Sequence, residues 1–162
     1  MLLVTAATPA AGAVITYNVV LSGTQSVPAN ASTAFGSGTV TVDDIADTVS
    51  VVLSFTGLTG GPAGAAHIHC CVAENANGPV VIPFTGFPNA TSGTYSNTFT
   101  GVSVANITGI EAGLAYINIH NTTFPGGEIR ADITPEPASL TLMGLGVLAI
   151  LGAGARRNRR AR

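Results

Sequence analysis

Between Ala13 and Pro135 the chain alternates apolar and polar residues in short runs, separated by clusters of Gly, Asn, Pro and Asp. A period of two is the pattern of antiparallel strands half buried against a core. Val49, Val51, Leu53 and Phe55 fall on one face of such a run, and Ser50, Val52, Ser54 and Thr56 on the other. The run ends at Gly57 or at Gly60-Gly61-Pro62. Further strands are predicted near Ile15–Ser22, Gly36–Val42, Ala65–Cys71, Val80–Phe84, Thr94–Phe99, Ala115–His120 and Glu128–Ile133, with a short helical turn at Asn106–Ala112. Eight strands joined by short loops predict an all-β fold, an antiparallel Greek-key sandwich or partly closed barrel, with a hydrophobic helix following at the C-terminus.

That last helix comes from a different pattern. Ala138–Ala155 carries no charge, and as a helix it spans about 27 Å, close to the hydrocarbon thickness of a bilayer. Arg156, Arg157, Arg159, Arg160 and Arg162 follow at once and act as a membrane stop on the cytoplasmic side, which puts the rest of the chain outside. Residues 1–13 are apolar and end in Ala11-Gly12-Ala13, a small-residue cleavage pattern. They read as the remnant of a signal peptide and are excluded from the fold.

Charge sharpens this division. The formal net charge of the 162 residues is −2, but five of the six Arg lie in the tail. Residues 1–135 hold seven acids and one base, Arg130, for a net charge of −6. A domain of that charge has no grip on nucleic acid. With 46% apolar and 9% charged residues the chain is too hydrophobic for disorder, and twenty Gly, nine Pro and no Trp suit a turn-rich exported β protein.

Two sets of residues resemble known families. Pro135-Glu136-Pro137, the hydrophobic stretch and the Arg cluster, in that order, resemble the PEP-CTERM sorting tail of bacteria. The resemblance implies export, an exosortase-type membrane protease acting near Pro135–Pro137, a membrane anchorage through the helix that lasts until processing, and delivery to the cell envelope, cell surface or extracellular matrix. Leu21-Ser22-Gly23-Thr24-Gln25-Ser26-Val27-Pro28, then Gly57-Leu58-Thr59-Gly60 with Ala65-Ala66-His67-Ile68-His69, then Gly113–His120 running to Phe124–Arg130, are similar to the chordin-type (CHRD) domain. That likeness covers about Tyr17 to Ile133 and implies a β-rich extracellular module without an assigned reaction. The chain thus divides into a signal remnant (1–13), a CHRD domain (14–134) and a sorting tail (135–162) with a transmembrane helix at 138–155.

All three His fall inside the CHRD-like blocks. Residues two apart on a strand share a face, so His67 and His69 project together with Cys71 next along, and Tyr116, Asn118 and His120 share one face of a second strand. If those faces meet, three imidazoles converge on a site suited to copper or zinc, with the Cys71 thiolate as a further ligand. Asn118, Glu128 and Arg130 are then placed to hold ring N–H groups or close the rim. The competing reading is three polar residues hydrogen-bonded across a sheet. An H-x-H strand in a sandwich is also similar to copper/zinc superoxide dismutase, but three His are too few for two metals, and an acidic domain repels an anionic substrate. Cys70 and Cys71 have three open states: a vicinal disulfide that removes Cys71 as a ligand, free thiols with Cys70 buried, or pairing with another molecule. No Walker loop, nucleophile elbow or metalloprotease motif is present. The expectation is a non-enzymatic binding or structural module that engages a matrix polymer or surface protein, with a copper- or zinc-binding protein as the alternative and a metal-dependent redox activity at that site as the minority reading.

Overall fold

The structure is a computed structural model and describes residues 12–134. Eight strands form in chain order: β1 (Val14–Ser22), β2 (Phe35–Asp43), β3 (Thr48–Thr56), β4 (Ala65–Cys70), β5 (Val80–Pro83), β6 (Gly93–Thr100), β7 (Ala115–His120) and β8 (Ile129–Ile133). One helix, α1 (Val104–Glu111), lies between β6 and β7. Its start is set by Ser103, whose side chain accepts from the Asn106 N–H.

All eight strands belong to one antiparallel sheet in the order β5-β4-β7-β8-β1-β2-β3-β6. Of the two expected forms, the sheet takes the barrel: it is continuous and curls until its ends approach. The reason lies in the apolar alternation. Tyr17, Val19 and Leu21 of β1, Val40 and Val42 of β2, and Ile117 and Ile119 of β7 are buried in a single core that draws on every strand except β5's outer positions. A sheet whose inner faces all share one core must bend around it. The edges meet through aromatic rings. Phe84, just past β5, stacks on Tyr95 and Phe99 of β6 at centroid distances of 5.1 and 5.7 Å. Helix α1 contributes Ile107 and Ile110 to the same core.

The two halves of the sheet differ on the outside. Outward positions of β1, β2, β3 and β6 face water. Those of β4, β7 and β8 are covered by the loops 71–79 and 121–127, so that Tyr116, Asn118 and Arg130 are as buried as the core. This covered outer face carries the site.

Candidate metal centre

Inside β4 the small and apolar residues Ala66, Ile68 and Cys70 enter the core, which leaves His67 and His69 on the outer face. In β7 Ala115, Ile117 and Ile119 point inward, and Tyr116, Asn118 and His120 point outward. Pairing sets Ala65 opposite His120, His67 opposite Asn118, and His69 opposite Tyr116. The three imidazoles therefore meet: ring centroids are 5.6 Å apart for His67 and His69, 5.1 Å for His67 and His120, and 6.0 Å for His69 and His120. One ligand nitrogen from each lies within 4.8 Å of the others.

The surroundings fix two of the rings. His69 Nδ1 lies 2.8 Å from the Gly78 carbonyl and His120 Nδ1 lies 2.9 Å from the Pro125 carbonyl. A carbonyl only accepts, so each Nδ1 carries the proton and each Nε2 keeps its lone pair. His69 Nε2 is buried without a hydrogen-bond partner, and so is His67 Nδ1. His120 Nε2 faces the Asn118 amide at 2.8 Å, across which a half-turn of the amide presents either its oxygen or its N–H. Buried polar atoms are nearly always paired, and two unpartnered nitrogens in one cluster are available to a ligand.

Electrostatics point the same way. Burial, with added repulsion from His120 and His69, pushes His67 down from 6.5 to about 4. Burial also lowers His120, against the opposing hydrogen bond to Pro125 and with a further push from His69. His67 and His120 thus stay uncharged at neutral pH and offer lone pairs. Imidazoles whose distal N–H is held by a backbone carbonyl, as in His69 and His120, are donors that suit zinc or copper. A stack supports the cluster from behind: His69 lies parallel to Tyr116 at 4.7 Å, and the Arg130 guanidinium sits 3.6 Å over the other side of the Tyr116 ring. Arg130 in turn pairs with Asp132 at 2.7 Å and donates to the Ala76 carbonyl.

Set against the sequence expectations, His67, His69, His120 and Asn118 come together. Cys71 does not. Its backbone turns to φ +86°, which ends β4 at Cys70 and takes Cys71 out of the alternation that carried the two His. Its sulfur is bonded to Cys70 and lies against helix α1, 3.9 Å from the Ala105 carbonyl. Glu128 is also misplaced. Its carboxylate accepts from Ser32 Oγ, from the N–H and hydroxyl of Thr59, from the Gly60 N–H and from Asn121 Nδ2, and so binds loops together away from the imidazoles. Arg130 reaches the cluster only through Tyr116. Sequence reasoning missed the stacking role of Tyr116 and the carbonyls of Gly78 and Pro125. Asn77-Gly78-Pro79 and Pro125-Gly126-Gly127 mark turns, but a turn signal does not say which carbonyl faces a ring.

Residues 1–11, the Pro135–Pro137 motif, the helix expected at 138–155 and the arginines from Arg156 to Arg162 lie outside the described residues. Among the described residues no helix is long and apolar enough to cross a membrane.

A nearly closed antiparallel barrel with an imidazole cluster under two loops is a β module that carries a ligand set. By comparison with known families, the chain belongs to the CHRD domain family, which residues 17–133 match. Residues 134–160 match the PEP-CTERM protein-sorting motif. No curated protein and no solved structure matches the chain. The sorting motif makes this an exported protein directed to the bacterial cell envelope or surface, and such signals are processed by exosortase, a membrane enzyme.

Proposed function

We propose that this exported CHRD module acts at the cell surface or in the extracellular matrix as a metal-binding protein, holding copper or zinc on His67, His69 and His120 without catalysing a reaction. The observation that carries the reading is the pair of buried, unpartnered nitrogens, His67 Nδ1 and His69 Nε2, in a cluster whose ligand atoms lie within 4.8 Å of one another. Three imidazole nitrogens leave a fourth position for water or for a side chain of a partner. Elemental analysis of the full chain, purified without chelators and then dialysed against equimolar zinc or copper, is expected to give one ion per chain. Less than a tenth of an ion per chain overturns the reading.

A second role is supported by the opposite half of the sheet. Rows of outward residues such as Thr16-Thr41-Ser50-Thr98 and Val20-Ser37-Ser54-Thr94 run across β1, β2, β3 and β6 without an ionisable group. Hydroxyls bridge along them, Thr16 to Thr41 and Ser50 to Thr98, each at 2.9 Å. A hydroxyl-rich face whose strands carry one carboxylate, Asp43 in the end row Val14-Asp43-Thr48-Thr100, fits a neutral matrix polymer better than a polyanion. Co-sedimentation of the full chain with an insoluble neutral polysaccharide, lost in a Thr41→Lys and Ser50→Glu variant, checks it; unchanged sedimentation of that variant removes this face from the account.

A further inference from the structure

The Cys70–Cys71 disulfide is not used by the site just described, yet it stands at the foot of the loop that covers it. Cys70 is buried at the end of β4 and directly follows His69; Cys71 is exposed. The bonded sulfurs rest on helix α1 at Gly109, where an added Cβ would come within 2.4 Å of both. Gly109 is the helix position that makes room for the bridge, so the sulfurs occupy a fitted seat. Cys71 is held at φ +86°, in a region that residues with a Cβ rarely enter, Asn and Asp excepted.

From that point the loop 71–79 runs back over His69. Its start is fixed by Cys71 and Val72, whose N–H groups both donate to the Leu114 carbonyl. Its end is fixed where Cys70 N–H donates to the Pro79 carbonyl. Between them Ala76 accepts from Arg130, and Gly78 both donates to the Tyr116 hydroxyl and accepts from His69 Nδ1. The carbonyl that sets the His69 tautomer thus belongs to a loop whose first residue is bent by the disulfide.

We infer that the Cys70–Cys71 bond is a thiol-exchange site for a dithiol, and that its state sets the metal affinity of the histidine cluster through the loop 71–79. This rests on the metal-binding reading above. A thiolate of the dithiol attacks the exposed Cys71 sulfur, forming a mixed disulfide and releasing Cys70 as a thiolate. The second thiol of the dithiol then displaces Cys71. The dithiol ends as a disulfide, and two electrons and two protons have passed to the cysteines. Freed of the bridge, Cys71 no longer has a covalent reason to stay at positive φ. It relaxes to the extended conformation of the strand, and the Gly78 carbonyl moves off His69. Loss of such an outer hydrogen bond typically weakens a metal site by roughly 10–100-fold.

The test compares zinc affinity of the full chain before and after reduction. A phosphine reductant is used for the zinc titration so that no added thiol binds the metal, and a competing chromophoric chelator reports the free ion. Oxidised protein is expected to bind zinc at least tenfold more tightly than reduced protein, and a Cys70→Ser/Cys71→Ser chain, which offers no thiols of its own, is expected to match the reduced one. A separate incubation with dithiothreitol is expected to yield two titratable thiols per chain without denaturant. Equal zinc affinities in the oxidised and reduced chains, or no thiols released, overturn the coupling and leave the metal site standing. No zinc bound in either state overturns both.

Discussion

Glu128 and the three histidines are polar groups withdrawn from water within a few residues of the same strands, and they are finished in opposite ways. The Glu128 carboxylate is fully buried, and five donors converge on it. Burial alone would raise its pKa, but the hydrogen bonds from Ser32, Thr59 and Gly60 outweigh burial and hold it below the usual carboxylate value. The histidine cluster is less enclosed, with His69 buried and His67 and His120 half-buried, yet it keeps two nitrogens with nothing to bind. A completed network is what a fold uses to tie loops to a barrel. An incomplete one destabilises the empty protein and is a reserve of affinity for whatever completes it.

The comparison breaks most sharply at Glu128. Removing the carboxylate in Glu128→Ala takes its acceptor from Ser32, from the Thr59 and Gly60 N–H groups and from the buried Asn121 amide, and the expected loss is about 3 kcal/mol in urea unfolding. A loss under about 1 kcal/mol would mean that the network is not structural. At the other cluster the pattern reverses. His69→Ala is expected to weaken zinc binding at least about 100-fold while costing the metal-free chain only about 1–2 kcal/mol, because the lost stacking on Tyr116 and the lost hydrogen bond to Gly78 are partly offset by the removal of an unpaired nitrogen. Large destabilisation with unchanged zinc affinity would show that His69 is an ordinary packed residue. A smaller effect, of opposite sign, is expected at Asn118, whose amide occupies His120 Nε2, the nitrogen left to bind the ion: Asn118→Ala should tighten zinc binding roughly fivefold by isothermal titration calorimetry.

Legibility in the sequence follows the same divide. Alternation in β3, β4 and β7 shows which residues share a face, and so His67, His69, Asn118 and His120 were readable as a group. Alternation does not show closure: the same eight strands serve a sandwich or a barrel until Phe84 is seen against Tyr95 and Phe99. Nor does it survive a break in the strand, and the turn at Cys71 removed a residue that periodicity had placed beside His69. Glu128 was misread because four of its five hydrogen bonds come from Ser32, Thr59 and Gly60, 96, 69 and 68 positions away. Contacts at such separations depend on loop paths that have no period.

The mildest effect separates the clusters by pH. His67 titrates near 6.5 when unfolded and at about 4 in the fold, so between these values the unfolded chain holds more protons. Its contribution to stability is complete above 6.5 and is lost as the pH falls toward 4. The melting temperature of the metal-free chain is expected to decline across that window, and His67→Gln should flatten the decline. The lowered Glu128 carboxyl acts further down, where stability present above 4.5 is lost as the pH falls through its folded value. A melting temperature flat from pH 7 to 4.5 contradicts the His67 assignment.

X-ray absorption at the zinc edge of the loaded full chain tests the central claim most directly. The account expects three imidazole nitrogens in the first coordination sphere at about 2.0–2.1 Å, and their loss in a His67→Ala/His69→Ala/His120→Ala chain. A sulfur at about 2.3 Å, or a spectrum unchanged by that triple substitution, would contradict it.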